Sequence, residues 1–189
     1  MKICSLYRKM GHEAALRKLS PSGVRRWWVG KLRGVAEIYI PYRLYKVILQ
    51  DRGRETISYY AIDAIAGTLD PYQFATLPEA KAWREVETGN VHPAKLHESH
   101  TRQRLTEKIR RRLYSQGFFR LRNPRITAEL IKPEFYIPYW AGFYGDERNV
   151  SVSVIDAVRQ TVEGSKARQI VKMWLLDPTE EPGLYSGGR

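Results

Sequence analysis

Glu37-Ile38-Tyr39-Ile40-Pro41-Tyr42 and Glu134-Phe135-Tyr136-Ile137-Pro138-Tyr139 are near-identical phrases in one chain. Each is followed by a second matching piece. After the first comes Ile62-Asp63-Ala64-Ile65-Ala66-Gly67-Thr68-Leu69-Asp70. After the second comes Ile155-Asp156-Ala157-Val158-Arg159-Gln160-Thr161-Val162-Glu163-Gly164. Glu37 and Glu134 stand 97 residues apart and Asp63 and Asp156 stand 93 apart. The copies therefore differ by four residues in the intervening arms and turn, where length change is tolerated.

From Val35 onward the first phrase alternates Ile38, Ile40, Tyr42 and Leu44 against Tyr39, Pro41, Arg43 and Tyr45, in a run rich in β-formers. Pro41 has no N–H for a ladder, so an edge or bulge position is expected for it. Asp51-Arg52-Gly53-Arg54 reads as a turn, and Thr56 to Leu69 as the returning strand, bent where Asp63-Ala64 meets Gly67. The second copy reads likewise: Tyr136 to Tyr144, a turn over residues 145–149, then Val150 to Val162, whose Val/Ser alternation predicts a half-solvated strand. A lone hairpin is marginal in water, so pairing or packing of the two is expected.

The intervening segments read as helical. Residues 6–19 carry a weak apolar row. Ser20-Pro21 offers a cap for a helix through Trp27 and Trp28 to Gly34, with a strand as the alternative. Thr76-Leu77-Pro78-Glu79 has capping-box spacing for a helix ending at Gly89-Asn90. His92-Pro93 opens the longest helix, to Ser115-Gln116, and Asn123-Pro124 a short one. Ala167, Ile170, Val171, Trp174 and Leu175 mark a last amphipathic helix, followed by a frayed tail. The expected fold is α+β: an antiparallel sheet of two repeated hairpins, helices on one face, a pseudo-twofold, and two helix-hairpin-helix copies (1–92 and 93–189) fused into one domain.

Tyr60 to Leu69, a strand running into an Asp-Ala-x-x-Gly turn, resembles the carboxy-terminal hairpin of PepSY-type modules. The second copy departs from that pattern with Arg159-Gln160 where the first has Ala66-Gly67. The resemblance implies a secreted or membrane-attached setting and an inhibitor-like or propeptide-like role. The Ile-Pro-Tyr-Trp and Ile-Asp-Ala-Val pieces are also similar to bacterial proteins with no assigned function.

Thirty-two Lys and Arg against 20 Asp and Glu give a net charge of +12 over 189 residues, with basic side chains in excess in both halves. Such a balance favours polyanionic partners, nucleic acid or acidic protein. One cysteine, Cys4, excludes an internal disulfide and a thiolate-rich zinc site, and in an expected mobile terminus it has no partner histidine. No signal peptide and no apolar run of about 20 residues is readable, so the expectation is a soluble cytoplasmic protein.

Phosphate-loop motifs and HExxH are absent, and His92, His97 and His100 have no metal-ligand spacing. No catalytic residue, metal or cofactor is expected. Asp63 and Asp156 are candidates for a carboxylate pair, although an Asp at a turn more often bonds its own backbone. With Tyr42, Tyr139 and Trp140 they would line a pocket between the copies. The expected contact site is electrostatic. At 100° per residue His97, Arg104, Lys108 and Arg111 project to one side of the long helix, as an anion- or partner-binding row, with Arg110, Arg112, Arg120, Arg122 and Arg125 following and Arg25, Arg26 and Arg33 in the other copy. The reading is a non-catalytic binding module with a basic surface. The alternatives are an enzyme or small-molecule binder with a pocket between the copies, and nucleic-acid binding through the helix over 93–116.

Overall fold

The computed structural model describes residues 1–21, 30–51, 53–115, 124–145 and 150–175. In chain order they form β1 (Lys2–Leu6), α1 (His12–Leu19), β2 (Leu32–Asp51), β3 (Arg54–Asp63), β4 (Tyr72–Phe74), a 3-10 turn (Ala80–Ala82), β5 (Trp83–Glu87), α2 (Glu98–Ser115), β6 (Arg125–Gly145), β7 (Val150–Asp156) and α3 (Ser165–Leu175). The fold is α+β. The strands follow the order β4-β3-β2-β6-β1-β5, with β7 also paired to β6. The sheet is mixed, which corrects the antiparallel expectation: β1 meets β6 in parallel at Ser5↔Tyr136, and Tyr39 forms a parallel bridge with Val91. The chain divides into two compact units. Unit 1 comprises Met1–Ile40, Ala82–His92 and Tyr136–Arg189; unit 2 comprises Pro41–Lys81 and Pro93–Phe135. Each unit draws on both halves of the sequence.

Both hairpins are present, and their registers start at the same place. Tyr42 faces Asp63 in β2–β3, and Tyr139 faces Asp156 in β6–β7. Pro41 and Pro138 sit one residue before the first ladder pair of each hairpin, so the missing N–H costs neither hairpin a bond. Their carbonyls accept the N–H of Ala64 (2.8 Å) and of Ala157 (3.1 Å). The turn at Asp51↔Arg54 carries Gly53 at φ 77°, a left-handed value that glycine adopts without a Cβ clash. β7 is shorter and drier than its Val/Ser alternation predicts: it ends at Asp156, and Val152, Ser153 and Val154 are all buried.

Three helical expectations become strand. The segment after the Thr76 capping-box signal makes only the 3-10 turn and then β5, where Trp83-Arg84-Glu85-Val86-Glu87 alternates with period two and pairs with β1. The residues after Pro124 open β6, with Ile126, Ala128 and Leu130 turned inward and Thr127 and Glu129 outward. Leu32, Arg33 and Gly34 belong to β2; the rest of that expected helix, residues 22–29 with Arg25, Arg26, Trp27 and Trp28, lies outside the described residues. The long helix starts at Glu98 rather than at His92-Pro93, and the helix over 6–19 shrinks to His12–Leu19 because Leu6 belongs to β1. Cys4 is a strand residue paired with Glu85, not part of a mobile end. The tail from Asp177 also lies outside the described residues, as do Arg120 and Arg122.

Each unit has its own core. In unit 1, Ala15 and Leu19 of α1 pack with Met10, Trp140, Ile155 and Ala157, while Ile3, Tyr39 and Tyr136 form a second cluster. In unit 2, Leu105 and Ile109 of α2 pack on Tyr45, Val47, Ile62 and Ala128. Burying a side chain of this size contributes about 1.5–3 kcal/mol, so these clusters fix where each helix lies.

Candidate functional site

The two aspartates are turn fasteners. Asp63 Oδ1 accepts the N–H groups of Ala66 (2.9 Å) and Gly67 (2.8 Å), and Oδ2 that of Leu69 (2.9 Å). Asp156 Oδ1 accepts those of Val158 (2.8 Å) and Arg159 (2.7 Å). Both carboxylates are fully buried, where backbone donors replace the water they lose. The fourth residue after each aspartate is left-handed, Gly67 at φ 61° and Gln160 at φ 62°. The alanine after each aspartate accepts two backbone N–H groups from the dipeptide leading into a helix. For Ala64 these are Lys95 and Leu96 (2.9 and 2.8 Å), before α2; for Ala157 they are Lys9 and Met10 (2.8 and 2.9 Å), before α1.

The aromatic candidates are buried as well. Tyr42 lies edge-on to Tyr72, with ring centroids 5.7 Å apart, and 6.2 Å from Phe135; Tyr139 is buried. Trp140 Nε1 donates to the Met10 carbonyl (2.9 Å), and Arg43 Nη1 donates to the Leu96 carbonyl (2.7 Å). A tryptophan and an arginine thus serve the same kind of bond, each one residue after the repeated tyrosine. His92 is buried against Trp174, with centroids 5.7 Å apart, and no group of three metal-ligating side chains occurs among the described residues.

Helix α2 carries six basic residues, Arg102, Arg104, Lys108, Arg110, Arg111 and Arg112, against two acidic ones, Glu98 and Glu107. Thr101, Leu105 and Ile109 are its buried face, and the Thr101 hydroxyl, 2.6 Å from that of Tyr45, ties its first turn to β2. His97 precedes the helix and caps it: its carbonyl accepts the Thr101 N–H (3.2 Å), and its Nδ1 is 3.0 Å from the Ser99 hydroxyl. Arg104, Lys108 and Arg112 run along the flank over residues 67–73. The Arg104 stem lies against Gly67, Lys108 Nζ donates to the Thr68 carbonyl (3.0 Å), and Arg112 Nη1 donates to Gln73 Oε1 (3.2 Å). Arg111 is 79% exposed, with Glu107 3.9 Å away, and Arg110 is exposed. Of the expected row, Arg104, Lys108 and Arg111 lie on α2 and His97 lies before it, and His97 and Lys108 make local bonds.

Sequence reasoning missed a polar cluster in unit 1. Glu37 is gripped by Arg8 from the β1–α1 turn and by Arg84 of β5 (3.1 Å), and Arg84 also donates to the Tyr39 hydroxyl (3.0 Å). The Arg8 guanidinium sits 5.6 Å over the Trp140 ring, whose edge meets His12 at 5.4 Å. Arg84 Nε is buried and has no hydrogen-bond partner among the described residues. Burial first, then the Glu37 carboxylate, pushes the Tyr39 phenol up to about 12. Arg8, Glu37, Tyr39 and Arg84 lie up to 76 positions apart, and Trp140 lies further still along the chain, so no local spacing announces the cluster.

A shallow cavity of about 110 Å³ opens in unit 2 between Tyr60, Gln73, Ile109, Arg112 and Leu113. Drug-sized ligand pockets run to ~300–1,000 Å³, so it suits a ring-sized group at most. No helix among the described residues is long and apolar enough to cross a membrane. Compared with protein-family models, with curated proteins and with solved structures, the chain matches none.

Proposed function

We propose that the protein is a non-catalytic binding module whose contact surface is the set of cationic side chains of α2, with Arg110 and Arg111 the exposed members that make no turn contact, and whose partner is a polyanion. The observation that supports it is the helix itself: six cations against two carboxylates, displayed on a segment whose apolar face is already committed to the unit 2 core. The candidate carboxylates, in contrast, are occupied by their own turns. The test is salt-dependent retention on heparin and on DNA. Arg110 and Arg111 are the positions to reverse, because Lys108 and Arg104 also hold the turn at Gly67–Thr68. The Arg110→Glu/Arg111→Glu variant should elute at clearly lower salt, and each lost phosphate contact should flatten the log–log salt dependence by about 0.7–0.9. Unchanged elution of a folded double variant overturns the assignment.

We further propose that the two hairpins are copies of one unit related by a pseudo-twofold. Support comes from the shared Tyr–Asp register, the shared Pro-to-Ala bond, the left-handed residue four places on, and the helix-entry dipeptides at the alanine carbonyls. On this reading each hairpin is served by the helix of the other copy. The likeness of Tyr60–Leu69 to a PepSY-type hairpin then describes the same turn, not a binding site.

A further inference from the structure

We infer that the polyanion taken by unit 2 is single-stranded nucleic acid, and that one of its bases enters the cavity between Tyr60, Gln73, Ile109, Arg112 and Leu113. This rests on the proposed polyanion role of α2 and adds the partner class and the residue contacts.

The cavity lies at the carboxy-terminal end of the cationic flank. Arg104, Lys108 and Arg112 succeed one another at one helical turn each, over Gly67, Thr68 and Gln73 respectively. A phosphate chain following that flank delivers its next group to the cavity. Its lining joins the apolar side chains of buried Ile109 and half-buried Leu113 and the ring of Tyr60 to the polar groups of Gln73 and Arg112. Burial holds the Tyr60 hydroxyl above its ordinary titration range, so it stays a neutral hydrogen-bonding group. At the rim stand the Arg112 guanidinium and the Gln73 side-chain amide, joined by a hydrogen bond of 3.2 Å. Tyrosine and arginine planes are the usual stacking partners of an unpaired base, and an amide offers one donor edge and one acceptor edge to a base edge. A peptide carboxylate would use the arginine but neither the Tyr60 ring nor the amide acceptor. A duplex keeps its bases stacked inside and could not fill the cavity.

The experiment compares fluorescence anisotropy of a labelled mixed-sequence single-stranded oligonucleotide with an abasic sugar-phosphate oligomer of equal length, a duplex and poly-glutamate, all in one salt. The base-bearing single strand should bind about tenfold or more tighter than the abasic chain, as one stacked base allows. Leu113→Trp, which fills the cavity, and Gln73→Ala should bring the two affinities together while heparin retention stays unchanged. Equal binding of base-bearing and abasic chains overturns the inference and leaves the polyanion reading standing. Preference for poly-glutamate or duplex overturns it too. Binding to none of the four at low salt overturns both. Should either variant fail to fold, the ratio measured on the wild-type chain still decides.

Discussion

The turn over residues 63–69 in unit 2 and the turn over 156–162 in unit 1 follow one plan with different details: Asp63 takes the N–H groups three, four and six places on, and Asp156 those two and three places on. Each is closed by a buried aspartate, each has a left-handed residue four places later, and each offers its alanine carbonyl to the entry of a helix. A lysine caps each from a helix: Lys108 Nζ on the Thr68 carbonyl at 3.0 Å, Lys18 Nζ on the Gln160 carbonyl at 2.6 Å. What differs is the residue in the left-handed position and the length of the attending helix. Unit 2 has glycine there, pressed by the Arg104 stem, and an 18-residue helix; unit 1 has glutamine and an 8-residue helix. The shared bonds account for the fold. The longer α2 also carries Arg110 and Arg111, which are exposed and close no turn, and that surplus is where binding is assigned.

The largest effect is expected from removing either fastener. Asp63→Ala strands the N–H groups of Ala66, Gly67 and Leu69, and Asp156→Ala those of Val158 and Arg159. At about 1–3 kcal/mol per stranded buried donor, with partial relaxation, Asp63→Ala should lose about 3–5 kcal/mol in urea denaturation, and Asp156→Ala, whose two donors are only part-buried, about 2–3 kcal/mol. Losses below 1 kcal/mol at either site would break the equivalence of the two turns and reopen a role for that carboxylate outside its turn.

Exchanging the left-handed residues should separate the turns in sign. An ideal Cβ on Gly67 lies 2.5 Å from Arg104 Cδ, and the φ of 61° is itself unfavourable for an L side chain. Gly67→Ala should therefore cost about 2–3 kcal/mol. Gln160→Gly relieves the same strain in unit 1 and should gain about 0.5–1 kcal/mol, net of the freer unfolded chain. A loss on Gln160→Gly would mean that the glutamine side chain contributes more than the backbone strain it imposes.

The lysine caps come next. Lys108→Met should cost about 1 kcal/mol, because its bond to Thr68 is half-buried, and Lys18→Met less than about 0.5 kcal/mol, because its bond is exposed. Equal losses in thermal denaturation would show that exposure does not distinguish the two caps.

Much of this was legible in the residues. The doubled Ile-Pro-Tyr and Ile-Asp-Ala phrases locate both hairpins, and Asp63 and Asp156 were readable as turn residues. The helices around Leu105 and Ile170 follow from their apolar rows. Trp83-Arg84-Glu85-Val86-Glu87 was misread because the upstream Thr76–Glu79 capping spacing is local, whereas the strand is specified by pairing with β1 some 80 residues earlier. The parallel meetings at Ser5 and Val91 have the same non-local origin. The Arg8–Glu37–Arg84 cluster left no motif, since its members share no spacing; the cavity beside Arg112 likewise depends on how α2 lies on β3 and β4.

The smallest and most specific effect separates a tyrosine of unit 1 from one of unit 2 at alkaline pH. Tyr39 is raised by burial and then by Glu37, to about 12 from an ordinary 10.0. Tyr45 is also raised by burial, but its Thr101 hydrogen bond and the Arg43 charge oppose the rise. Between pH 10 and 12 the unfolded chain releases the Tyr39 proton while the folded chain keeps it. That contribution to stability is therefore intact below pH 10 and is lost as pH climbs to about 12. Tyr39→Phe should cost about 1 kcal/mol near neutrality, through the lost Arg84 bond, and should flatten the alkaline decline of stability. Tyr45→Phe should flatten it less. Urea midpoints from pH 8 to pH 11.5 measure both, and an equal change in slope would place the two hydroxyls in equivalent surroundings, contrary to the Glu37 carboxylate beside one and the Thr101 hydroxyl beside the other.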